Sequence, residues 1–203
     1  MPIKTASAPP ASLAALTSTL QSWVTHPASA PPTAAAGISF AAPKGLDIKL
    51  PHPVYEVALK DLASGKGLTK AKLVSWRYLL SDGESTSVAE VSEPKTKKQA
   101  PAFAMLNRGP FVGSLVETVE KATKSKALAK SSYELAVLHI PALYVLALWL
   151  RGSGKSAKNV VIPLAPAPAS LTAGKSYSED ELVAALEPSA KAADTAGGPA
   201  LAS

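Results

Sequence analysis

The chain contains no cysteine, which removes disulfide bonds, thiolate nucleophiles and cysteine-held metals together. Its three histidines, His26, His52 and His139, stand far apart, and only five aspartates occur in 203 residues. Acid–base, nucleophilic and metal centres are built mostly from these side chains. The composition therefore weighs against catalysis, and it offers no metal site and no cofactor site. Long hydrophobic runs are missing as well. The longest, residues 136–150, is broken by His139 and Pro141 and is shorter than the roughly 18 residues a membrane span needs. It reads as a buried core segment. Pro2 and Lys4 follow Met1 where a secretory leader would place apolar residues, so a cytoplasmic protein without a membrane span is expected.

Alanine and proline are abundant instead. Hydrophobic residues make up 47% of the chain, but alanine inflates that share. The net charge of +6 is local: residues 94–130 carry eight basic and two acidic side chains, and the remainder is balanced.

Residues 1–44 hold only two charges, Lys4 and Lys44, among Ala, Pro, Ser and Thr, and are expected to form an arm outside the globular domain. Within it, Leu13, Leu16, Leu20, Trp23 and Val24 recur at helical spacing, which predicts a short amphipathic helix over 12–25 with Ser12 as N-cap. That helix either docks on the chain's own core or serves a partner. Residues 190–203 read as a flexible tail.

Residues 45–189 read as a globular domain. Period-two alternation predicts a strand over 54–59. Branched and aromatic residues predict another over 72–80, with a third returning antiparallel over 87–92 after an Asp82-Gly83 turn. Pro110 opens the strongest helix, about 110–124, whose apolar stripe is Phe111, Val112, Leu115, Val116 and Val119. Strands are expected over 133–140 and 159–164; residues 142–150 are apolar on all sides, so periodicity leaves strand or helix open there, and the turn-like residues 151–155 favour strand. A capping box from Ser178 to Glu181 starts a C-terminal helix, about 179–187, that Pro188 should stop. This order predicts an α+β domain in which the two helices pack on an antiparallel sheet of about five strands.

Candidate chemistry is sparse. Gly152, Gly154, Lys155 and Ser156 resemble the tail of a phosphate loop, yet Trp149 stands where the first glycine belongs, so a hairpin turn fits better. His139 lies in an apolar segment and reads as a histidine satisfied internally. Arg108, just ahead of a helix start, together with Lys95, Lys97 and Lys98, forms a candidate anion-binding group. Leu13, Leu16, Leu20, Trp23, Trp76, Tyr78 and Trp149 are the candidate partner-binding residues. The expected function is a non-enzymatic binding or assembly module, with a protein partner or a second copy of itself. An apolar hairpin over 143–164 with an unprotected edge would serve such contacts. The first alternative is a nucleic-acid accessory protein using residues 94–130. The second is an enzyme with a site assembled from Arg108, Tyr133, His139 and scattered acids.

Overall fold

A computed structural model describes residues 3–26, 28, 30, 46–83, 85–96, 98–154 and 157–196. Lys97, Lys155, Ser156, most of residues 27–45 and the last seven residues lie outside this set. In chain order the elements are β1 (Ile3–Thr5), α1 (Pro10–Thr25), β2 (Asp47–Glu56), α2 (Leu59–Ala63), β3 (Lys72–Ser81), β4 (Thr86–Ser92), β5 (Ala102–Asn107), α3 (Pro110–Lys124), β6 (Ser132–Ile140), β7 (Val145–Ser153), β8 (Val160–Pro163) and α4 (Glu179–Thr195).

Among the described residues the fold is α+β, with a mixed sheet of eight strands and four helices. The sheet is therefore larger than the expected five strands, and it is not purely antiparallel. The parallel component is β2 beside β6, where Val54, Tyr55 and Glu56 stand opposite Val137, Leu138 and His139. Pairing between strands some eighty residues apart leaves no mark on local hydrophobic pattern, so the sequence could not announce it.

The chain divides into two compact units. One comprises residues 1–4, 54–73 and 114–203; the other comprises 5–53 and 74–113. In the first unit the order is β2-β6-β7-β8, with β1 beside β6. β6, β7 and β8 form an antiparallel meander. Its core gathers Leu62, Leu138, Ile140, Trp149, Leu182 and Leu186 from α2, β6, β7 and α4. Ser178 caps α4 by accepting from the Glu181 N–H, while the Glu181 carboxylate accepts from the Ser178 N–H. The helix does not stop at Pro188; it runs to Thr195. Pro188 and Ala184, whose carbonyl the proline leaves without a helical partner, both face outward, where water can serve it. The buried stripe Leu182, Leu186, Ala190 continues past the proline. Tertiary packing overrides the local stop signal.

The second unit has the order β5-β4-β3, all antiparallel. One face of these strands carries Trp76, Tyr78, Leu80, Ala89, Val91 and Leu106, and α1 lays Leu16, Leu20 and Trp23 against it. Helix α1 starts at Pro10, earlier than expected. Ser12 is not its N-cap: it lies buried inside the first turn and accepts a hydrogen bond from the Tyr78 hydroxyl at 2.8 Å. β5 was not anticipated. A register shift beside Glu90 and Val91 leaves Ala104 unmatched, placing Phe103 and Leu106 on the same face although three residues apart.

Candidate functional site

Six of the seven apolar candidates are consumed by the chain's own packing. Leu16, Leu20, Trp23, Trp76 and Tyr78 are buried in the second unit, and Trp149 is buried in the first. Only Leu13, at 42% exposure, shows a large apolar surface. Trp149 is held further by its indole N–H, which donates to Glu179 at 2.9 Å. Its neighbour Arg151 lies over the Tyr55 and Trp149 rings and donates to the Tyr55 hydroxyl at 2.7 Å.

Among the described residues, the cationic candidates Arg108, Lys95 and Lys98 occupy opposite ends of β5. Arg108 donates from Nη2 to the Ser85 hydroxyl at 2.8 Å, and Ser85 in turn donates to the Asp82 carboxylate. The arginine thus belongs to the β3–β4 turn. Ahead of α3, the Asn107 side chain accepts from the Gly109 N–H at 2.7 Å, a local cap. Lys95 and Lys98, in contrast, are exposed on the connection between β4 and β5 and form no ion pair with a described residue. Lys97 lies outside the described residues. Farther along the basic stretch, Lys121 and Lys124 pair with Glu117 and Glu120 one helical turn earlier, at 2.5 and 3.7 Å.

Titratable groups meet in two further places. In the first unit His139 Nδ1 lies 3.0 Å from the Glu56 carboxylate, a contact created by the β2–β6 register. Tyr133 faces the core, and no third polar side chain among the described residues bonds this pair. In the second unit Ser75 and Arg77 on β3 both donate to Glu90 on β4 at 2.6 Å. The ion pair is nearly covered, with side-chain exposures of 12% and 14%.

His52 lies in β2 and is fully buried; its Nδ1 bonds the Leu50 carbonyl at 2.6 Å. Loss of hydration on burial is the main cause that pushes its pKa from 6.5 down to about 4, with Arg77 adding to the effect. The Leu50 carbonyl and Glu90 oppose it. A neutral imidazole in this position is a packing element.

A groove of about 390 Å³ runs along the second half of α3, lined among others by Ser114, Thr118, Lys121, Ser125, Ile162 and Gly174. The Ser114 hydroxyl already accepts from the Ala165 N–H, Lys121 is paired, and among the described residues no buried unpartnered polar side-chain atom lines the groove. No group of three or more metal-ligating carboxylates and imidazoles occurs among the described residues.

The edge strands provide the sharpest contrast. β8 ends the order of the first unit, and its outward backbone groups are all answered. Val161 exchanges both its N–H and its C=O with Tyr177 at 2.8 Å, the Pro163 carbonyl accepts from Gly174 at 2.8 Å, and Pro163 has no N–H to satisfy. The hairpin edge expected over 143–164 is closed. β5 ends the order of the second unit, and no described group pairs with the side turned away from β4. Its residues Ala102, Phe103, Ala104, Met105, Leu106 and Asn107 include neither a charge nor a proline, the devices that usually blunt an edge. Ala102, Ala104 and Met105 are exposed, Met105 to 39%. Met105 stands opposite Glu90, on the face bearing Ser75 and Arg77, while Phe103 turns to the other face, with its ring edge-on to Trp23 at 5.0 Å. Among the described residues, the Ala104 bulge is the device that interrupts this edge.

No family model, curated protein or solved structure matches the chain. No helix among the described residues is long and apolar enough to cross a membrane.

Proposed function

We propose that this chain is a binding module that takes up an extended segment of a protein partner as an added strand along β5. The observation that carries this reading is the row of backbone donors and acceptors on β5 that no described residue answers, against a fully answered row on β8. An uncharged, proline-free edge is a template for another strand, and main-chain hydrogen bonds supply much of the affinity in such complexes. Met105 offers the incoming strand an apolar neighbour on one face. The bulge interrupts the ladder, so the module suits short segments and modest affinities. The nucleic-acid alternative is weaker, because Lys121 and Lys124 already have carboxylate partners.

The test is selection of a random peptide library on the full chain, followed by amide hydrogen exchange with a selected peptide bound. Strand addition protects outward amides of residues 102–107 that exchange freely in the unbound chain. Selected peptides that leave those amides unprotected, or a library that yields no binder, would overturn the proposal.

A further inference from the structure

We infer that the segment accepted by β5 is acidic at the end lying beside Ala102; this rests on the strand-addition reading. Residues 94–109 contain Lys95, Lys97, Lys98 and Arg108 and no acidic side chain. The charges are not evenly placed along the edge. Arg108, at the Asn107 end, is engaged with the Asp82–Ser85 turn. Lys95 and Lys98, on the connection that leads into Ala102, are exposed and without a carboxylate partner among the described residues. The available positive field therefore sits at one end only.

The same charges argue against other occupants. If a second copy paired antiparallel along β5, the lysine end of one copy would lie beside Arg108 of the other. In a parallel pairing lysine would face lysine. The parallel arrangement sets like charges together, which costs affinity, and the antiparallel one offers the lysines no acidic side chain from β5 itself. The stretches 31–45 and 197–203 of this chain carry no acidic side chain. A separate, acidic partner segment fits both the edge and its charge.

Two exposed pairs of this kind give a preference on the order of ten-fold at low salt. The probes are three blocked ten-residue Val/Thr peptides: one with a pair of glutamates at its N-terminal end, one with the pair at its C-terminal end, and one with glutamines instead. Two acidic versions are needed because a strand can add in either direction. One acidic peptide should bind roughly ten-fold tighter than the glutamine peptide at roughly 50 mM salt, with protection of amides 102–107. The advantage should vanish at roughly 500 mM salt and in the Lys95→Gln/Lys98→Gln variant, whose exposed positions leave the fold intact.

If the glutamine peptide protects residues 102–107 as well as either acidic one, the charge inference fails while strand addition stands. If none of the three protects them, both fail. Undiminished binding by the lysine variant would refute the assignment of the acidic end. So would a single-stranded oligonucleotide that binds more tightly than the acidic peptides through Lys95 and Lys98.

Discussion

His52 gives the second unit a specific sensitivity to acid. It is completely buried and its pKa is lowered from 6.5 to about 4, chiefly by loss of hydration. Between these values the unfolded chain binds a proton that the folded chain refuses. Stability is therefore greatest above pH 6.5, falls as the pH drops through the window, and levels off below about 4. A displacement of that size corresponds to about 3 kcal/mol in total, of which about 2 kcal/mol is lost by pH 5. Glu117 and Glu181 have pKa values lowered by hydrogen bonds from Lys121 and from Ser178. They also lose stabilisation in acid, but only as the pH approaches their own range below 4.5. Comparing about pH 7 with about pH 5 keeps the histidine effect largely separate. The variant to compare is His52→Asn, whose side-chain amide can donate to the Leu50 carbonyl but cannot titrate. Urea unfolding in a Trp149→Phe background leaves Trp23 and Trp76, both in the second unit, as the fluorescent reporters. The asparagine variant should be less stable at neutral pH and should lose about 2 kcal/mol less than its parent on acidification. Parallel stability curves for the two proteins would refute the argument that burial keeps His52 neutral.

Two further outcomes follow from packing. Leu16→Ala should cost about 2–5 kcal/mol in urea unfolding, because Leu16 is fully buried between α1 and the strands of the second unit; a cost within about 0.5 kcal/mol would show that α1 is not part of that core. Gly152→Ala should destabilise by about 1–3 kcal/mol or more, because a methyl group there meets the Ala157 backbone carbonyl, and thermal unfolding reads it directly. An unchanged melting temperature would mean that the β7–β8 connection is not closed as described.

Helix α3 was legible because Pro110 and a regular apolar stripe state it locally, and β3 and β4 because composition and the Asp82-Gly83 turn agree. β5 escaped because its bulge sets Phe103 and Leu106 three residues apart, so period two is lost. The start of β2 escaped because Pro51 and Pro53 argue against a strand, and Leu50 adopts a φ of 50°, rare for such a residue. The candidate edge was illegible for a different reason. Whether a strand is outermost depends on pairing order, and whether its edge is open depends on distant segments such as residues 174–177. The cationic residues Lys95 and Lys98 were visible from the start, but the strand they flank was not. Nor could the sequence show that His139 would meet Glu56, since only the parallel register brings them together.

Deleting residues 1–44 is not a clean way to ask what the alanine- and proline-rich segment does, because it would strip Leu16, Leu20 and Trp23 from a core. The difficulty is general to this chain. The polypeptide passes between its two units four times, near residues 4, 53, 73 and 113, so neither can be cut out as one continuous fragment. During synthesis residues 54–73 leave the ribosome long before the strands and helix they must join. Completion of that unit waits on the final third of the message, and the many distant pairings imply slow folding. A single nick by a protease at one crossing would leave the two units joined at the other three, releasing no separate domain.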